Sequence, residues 1–337
     1  MKNGYLGFYT SRPFWAGNPL DIRNPETKTN FTALMSKVEY SFEDEQFKFD
    51  VCKDGMLMIQ IFSLESEKPS METPEMEDII NWWARYLNYA NCLQLLLDSS
   101  ILEVKSFNYL ELFNITNKDA VRLSFENGKL ESESVSIESF IYSFQMLRYP
   151  SAIPFESIFW TTSLENRPSF QEDVFSLAAQ KFSYAVKNER LVEILAGITK
   201  SIAEYKIGNY SISLILSWFA IEVILNQKWL AFIEEKNLTY EDGRKRINSD
   251  RFKRLTGHDY SISVALNLME LSDIFSFSLF KDIDDIRDYR NKVVHQEEEY
   301  VCLPEHCILA IQTALKLVLE EKEFNIIPNL GRSISGV

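Results

Sequence analysis

At 337 residues the chain is long for one domain and comfortable for two, and 46% hydrophobic with 25% charged residues is an ordinary globular balance. The formal net charge of −14 excludes a protein that coats nucleic acid through a broad basic face, but not one that touches a few phosphates locally. With 11 Gly and 10 Pro, long disordered tracts are not expected.

The start, Met1-Lys2-Asn3-Gly4-Tyr5, lacks the apolar stretch of a signal peptide. The longest apolar run, Ile212 to Leu225, is too short to span a bilayer and contains Glu222. Cys52, Cys92, Cys302 and Cys307 are few and scattered, so they read as reduced thiols, not as a disulfide framework. The expectation is a cytoplasmic protein without a membrane partner.

The first half predicts an α+β domain over residues 1–150, of unassigned role. Phe47-Lys48-Phe49-Asp50-Val51 alternates, Lys53-Asp54-Gly55 supplies a turn, and Met56 to Phe62 runs apolar, which together predict a hairpin. Thr73 before Pro74, followed by Glu75 and Glu77, predicts a helix start. That helix is expected to run to about Asp98 and to bury Ile79, Trp82, Trp83, Tyr86, Ala90 and Leu93. Strand-like stretches follow at Ala120 to Phe125 and Leu130 to Ile137, around the turn Glu126-Asn127-Gly128. No catalytic motif stands out here.

Pro150, Pro154 and Pro168 punctuate the next segment, which predicts a linker over 151–169. Beyond it the apolar period is helical, and an all-α bundle is expected over 170–325 with a loose tail over 326–337. Its predicted helices span 170–187, 189–206, 210–235, 262–276, 282–295 and 304–323, with Pro304 at a first helical position. The charge divides with the domains. Residues 1–165 hold 14 Lys+Arg against 24 Asp+Glu, and 166–337 hold 21 against 25, so nucleic-acid chemistry belongs in the second half.

On a helical wheel with Arg290 at zero, Ile283, Ile286, Val293 and Val294 all fall within roughly 60° of it. An arginine in the middle of an apolar stripe needs an anionic partner, because an unpaired buried guanidinium costs several kcal/mol. Glu222, set among Phe219, Ile221, Val223 and Leu225, is a supporting residue that could pair with it. Asn291 and His295 lie four apart on one edge of the stripe. A fixed cation, an amide and an imidazole are the groups needed to cleave a phosphodiester without metal.

Arg290-Asn291-Lys292-Val293-Val294-His295 resembles the R-N-x-x-x-H form of the HEPN motif, R-x4–6-H. Leu216-Ser217-Trp218-Phe219-Ala220-Ile221-Glu222-Val223-Ile224-Leu225 is similar to the Glu-bearing apolar helix of that family, particularly its ApeA-like branch. The resemblance covers roughly residues 185–323. It implies a helical bundle that forms a homodimer through the C-terminal domain and joins two motifs in one cleft. It also implies a metal-independent endoribonuclease of a toxin or anti-phage defence system, with RNA as partner and an antitoxin or regulatory protein as a further one. Arg290, His295 and Asn291 would be its catalytic residues, with no cofactor. The alternative is a non-catalytic HEPN scaffold that dimerises and binds RNA, a nucleotide or a partner protein.

Arg251 and His258 also satisfy R-x6-H, but they lie in a polar stretch ending Leu255-Thr256-Gly257-His258 that reads as a loop. Arg244, Lys245, Arg246, Arg251, Lys253 and Arg254 stand against the single acid Asp250, an RNA-contacting patch or a solvated face. His295, Glu297, Glu298, Glu299, Cys302, His306 and Cys307 are rich in donor atoms, but no zinc spacing appears and no metal is expected. Trp82-Trp83 reads as core or interface packing.

Overall fold

The hairpin predicted around Gly55 forms in the computed structural model, which describes residues 4–69, 75–126, 129–133, 164–257, 260–295, 300–320 and 322–331. Strands β1 (Gly4–Phe8), β3 (Val38–Glu43), β4 (Phe47–Cys52), β5 (Leu57–Ile61), β6 (Ala120–Glu126) and β7 (Lys129–Glu133) make one antiparallel sheet in the order β3-β4-β5-β1-β6-β7. Alternation explains the two faces. Tyr5, Cys52, Met58, Val121 and Leu123 close one apolar cluster. Phe47 and Tyr40 carry the other face, against Phe182 and Phe175 of helix α5 (Glu172–Ala185). A short parallel pair joins β2 (Trp15–Ala16) to β8 (Ser169–Phe170), with Trp15 Nε1 donating to the Leu164 carbonyl.

Gly55 turns the hairpin with φ +87°, where a side chain is strained, and a Cβ there would lie 2.8 Å from the Phe14 carbonyl oxygen. Gly55→Ala is expected to destabilise the protein by about 2 kcal/mol or more. Urea unfolding measures it, and an unchanged midpoint would contradict the assigned strain.

Helices α1 (Pro25–Thr29), α2 (Phe31–Met35) and α3 (Phe62–Ser66) are short connectors around the sheet. The long helix α4 (Met76–Lys105) buries Trp82, Tyr86, Ala90 and Leu93 as expected, while Ile79 and Trp83 are only half-buried. It begins after Thr73-Pro74, which lie outside the described residues, and runs seven residues past Asp98. The polar run Asp98-Ser99-Ser100 does not end it because all three are buried: Ser100 Oγ donates to the Leu96 carbonyl, and Ser99 Oγ accepts from Lys181 Nζ and the Ile327 amide. Arg122, half-buried, pairs with Glu65 through Nη2 at 2.6 Å and lies over the rings of Trp82 and Tyr86.

The chain separates into two compact units, Met1–Thr199 with Ile326–Val337, and Lys200–Asn325. The break falls inside α6 (Glu189–Lys206), while most of the expected linker, 151–163, lies outside the described residues. The tail expected to be loose is tied down over 326–331. Ile326 is buried, and buried Asn329 donates to the Leu110 carbonyl at 3.0 Å.

The second unit is helical, with α7 (Tyr210–Glu235), α8 (Ser249–Leu255), α9 (Ile262–Leu271), α10 (Phe277–Val294) and α11 (Pro304–Leu319). Helix α7 is long and apolar enough to cross a bilayer by length and composition, a test that a core helix also passes. It packs against α11, α10 and α9 through Leu214, Trp218, Ile221 and Leu225. Small residues bring the end of α6 close to it: Ser201 Oγ donates to the Ser213 carbonyl at 2.8 Å and lies 2.7 Å from Ser217 Oγ, all three side chains fully buried. The helix predicted over 262–276 stops at Leu271, because Asp273 takes φ 59° and Ser276 caps a new helix with its Oγ on the Leu279 amide.

Candidate functional site

Helix α10 owes its position to Leu279, Ile283 and Ile286, buried at spacings that line one face. Arg290 is the next member of that stripe and is half-buried, as its place on the wheel implies. Val293 is half-buried and Val294 is exposed, so the stripe fades at the helix end. Neighbouring charges pair locally along the outer face: Arg287 with Asp284 and Lys292 with Asp288, each at 2.7 Å. Among the described residues Arg290 has no such acid. Its Nη1 donates to Asn291 Oδ1 at 3.0 Å, and its Nε is buried without a partner. An orphaned buried donor costs about 1–3 kcal/mol, so this guanidinium gains from any anion that reaches it.

Glu222 does not supply that anion. It is half-buried on α7, and no hydrogen bond or ion pair joins it to Arg290 among the described residues. His295 is the residue that ends α10, exposed, with its amide donating to the Asn291 carbonyl at 2.9 Å. It lies five positions past Arg290, about 140° around an ideal helix. The structure thus brings Arg290 and Asn291 together and leaves the His295 ring unbonded to either.

The basic residues lie on a small built platform. Tyr240 and Arg244 pair through their backbones, Arg246 returns to Leu238, and a bridge joins Thr239 to Lys245. Helix α8 follows, capped by Asn248 Oδ1 on the Arg251 amide and pinned by Trp229 Nε1 on the Leu255 carbonyl. The stretch that reads as a loop is therefore helical over Ser249–Leu255, because Asn248 supplies a cap; His258 lies outside the described residues. Arg244, Lys245, Arg246, Arg251, Lys253 and Arg254 are all exposed. Arg244 is partly neutralised by Asp242 at 2.6 Å. Tyr240, Glu241, Asp242, Arg244 and Lys245 line an open depression beside it.

A second cluster escaped sequence reasoning. The His306 ring stacks on Tyr289, the residue before Arg290, with centroids 4.0 Å apart. Its Nδ1 accepts from the Leu303 amide at 3.2 Å and meets Tyr300 Oη at 2.9 Å. His306 stands at the third position of α11, where an acceptor side chain closes the helix start. Of the donor-rich tract containing it, Glu297, Glu298 and Glu299 lie outside the described residues, among which no group of three or more His, Cys, Asp or Glu side chains is placed to hold a metal.

Burial lowers the His306 pKa below the usual histidine value, with Lys292 adding to the effect and Glu305 opposing it. Between that lowered value and about 6.5 the unfolded chain binds more protons than the folded one. The stabilising contribution of the neutral ring is complete above about pH 6.5 and is lost as pH falls through the folded value. The expected result is a urea stability that declines below about pH 6.5, and a flatter limb in His306→Gln, whose amide oxygen still serves the Leu303 amide. An identical limb in the variant would remove His306 as the cause.

No protein-family model, no curated protein and no solved structure matches the chain.

Proposed function

We propose that the chain is a metal-independent endoribonuclease of HEPN type, a cytoplasmic toxin or anti-phage effector that works as a homodimer. The observation that carries this reading is Arg290: a half-buried guanidinium with no acidic partner among the described residues, held by Asn291 at the end of a helix that closes on an exposed histidine. In the proposed reaction His295 accepts the proton of a ribose 2′-OH, and the 2′ oxygen attacks the adjacent phosphorus. The P–O5′ bond breaks, the leaving oxygen takes a proton, and a 2′,3′-cyclic phosphate remains. Arg290 neutralises the charge that grows on the phosphoryl oxygens, and Asn291 fixes its orientation.

Arg290 and His295 stand about 140° apart on an ideal helix, so the proposed cleft draws on a second copy. The surface that favours pairing lies on α7. Ile212, Phe219 and Leu230 are 49%, 51% and 43% exposed and fall within about 20° of one another on the wheel, with half-buried Leu216 and Val223 between them. Such a charge-free stripe is self-complementary about a two-fold axis. The platform of Arg244, Lys245, Arg246, Arg251, Lys253 and Arg254 supplies the phosphate contacts in an otherwise acidic chain. The same α7 stripe favours a second reading, a HEPN scaffold that pairs and binds RNA without cutting it.

Expression of the wild type and of His295→Ala in the same host separates the two. Growth arrest with fragmented cellular RNA for the wild type alone is the expected outcome. Equal growth with intact RNA in both strains leaves the scaffold.

A further inference from the structure

Cys302 and Cys307 place their Sγ atoms 4.0 Å apart at the start of α11, and both are free thiols. They are held differently. Cys307, on the first turn of α11, is fully buried, and its thiol donates to the Tyr210 carbonyl at 3.1 Å. Cys302 lies in the segment without helix or strand that precedes α11, 8% exposed, between Val301 and Leu303 at 70% and 47%. A disulfide has an S–S length of about 2.05 Å, so closing the pair needs a shift of about 2 Å. The side that moves is 300–303, since α11 fixes Cys307. The two sulfurs also differ in acidity. Contact with the other sulfur lowers the Cys302 pKa, and the same contact, with burial, raises that of Cys307, whose proton is held by the Tyr210 carbonyl. Cys302 is thereby the more acidic of the two and is assigned the attack, with Cys307 as the resolving thiol.

We propose that Cys302 and Cys307 are a peroxide-responsive thiol pair that closes reversibly to an intramolecular disulfide. Cys302 sulfur attacks one peroxide oxygen, the O–O bond breaks, and the departing hydroxide is protonated to water. The Cys302 sulfenic acid is then attacked by Cys307 sulfur, the S–O bond breaks, and a second water leaves with the Cys307 proton. Two thiols lose two electrons to one peroxide. The shift carries Tyr300, two residues before Cys302, whose hydroxyl meets His306 and whose ring lies under Lys292 Nζ. This inference stands whether or not the chain cleaves RNA.

The full-length protein, reduced and desalted, is exposed to hydrogen peroxide, blocked with N-ethylmaleimide under denaturing conditions and digested with trypsin. No Lys or Arg lies between the two cysteines, so both fall on the peptide Val293–Lys316. The expected peptide is two hydrogens lighter and free of maleimide, and dithiothreitol restores it. Cys52 and Cys92 stay alkylated. In Cys307→Ser, dimedone is expected to trap Cys302 as the sulfenic acid; in Cys302→Ser, Cys307 is expected to remain a thiol. A peptide carrying two maleimides after peroxide overturns the proposal, as does a disulfide from either cysteine to Cys52, Cys92 or another chain. Dimedone on Cys307 in place of Cys302 overturns the assigned order.

Discussion

Arg290→Ala is expected to slow RNA cleavage by about 10²–10³-fold, the usual loss when one group that stabilises transition-state charge is removed. His295→Ala is expected to cost about 10²–10⁴-fold, the range for a lost general acid–base. The double variant should fall little further than the worse single one, because in the proposed reaction both act on one phosphate and such effects are not additive. Neither change should unfold the protein. His295 is exposed, and loss of the Arg290 guanidinium removes a buried donor that has no partner, so thermal unfolding should shift by no more than a degree or two in the stabilising or destabilising direction. Single-turnover assays on a labelled RNA, with unfolding curves beside them, measure both. Full cleavage by both variants would transfer the activity elsewhere.

The second large effect concerns pairing. Phe219→Glu places a carboxylate in the middle of the exposed α7 stripe, where pairing would bury it against apolar side chains. The dimer dissociation constant is expected to rise by at least about 100-fold, since an unpaired buried charge costs several kcal/mol. Sedimentation equilibrium should give a single-chain mass for the variant at concentrations where the wild type is paired. Cleavage should fall with the dimer fraction. A paired Phe219→Glu would assign the interface to another face, and a monomer that cuts at the full rate would remove the shared cleft.

How legible this protein was in its sequence depended on how local the signal is. The Gly55 turn, the α7 helix and the Pro304 start of α11 were legible because each rests on residues adjacent in the chain. The position of Arg290 in an apolar stripe was legible for the same reason, since a helical period needs no knowledge of the partner helix. Its partner was not. The wheel called for an acid, and Glu222 was the acid at hand, yet Asn291 next door took the bond. The Tyr289, Tyr300 and His306 cluster was hidden because the first and second stand 11 positions apart and no periodic pattern links them. Asp98-Ser99-Ser100 looked like a helix end for the opposite reason: the groups that bury and satisfy it, Lys181 and Ile327, are far along the chain. The stop at Ser272 and the cap at Ser276 were present in the sequence as ordinary punctuation, masked by the apolar residues on either side.

The ends left on a cleaved RNA test the central claim most directly. Purified protein in EDTA, given a synthetic single-stranded RNA, should yield fragments with 2′,3′-cyclic phosphate and 5′-hydroxyl termini, because in the proposed reaction the ribose 2′ oxygen is the nucleophile and no metal takes part. Fragments with 3′-hydroxyl and 5′-phosphate termini, or cleavage that stops in EDTA, would contradict it.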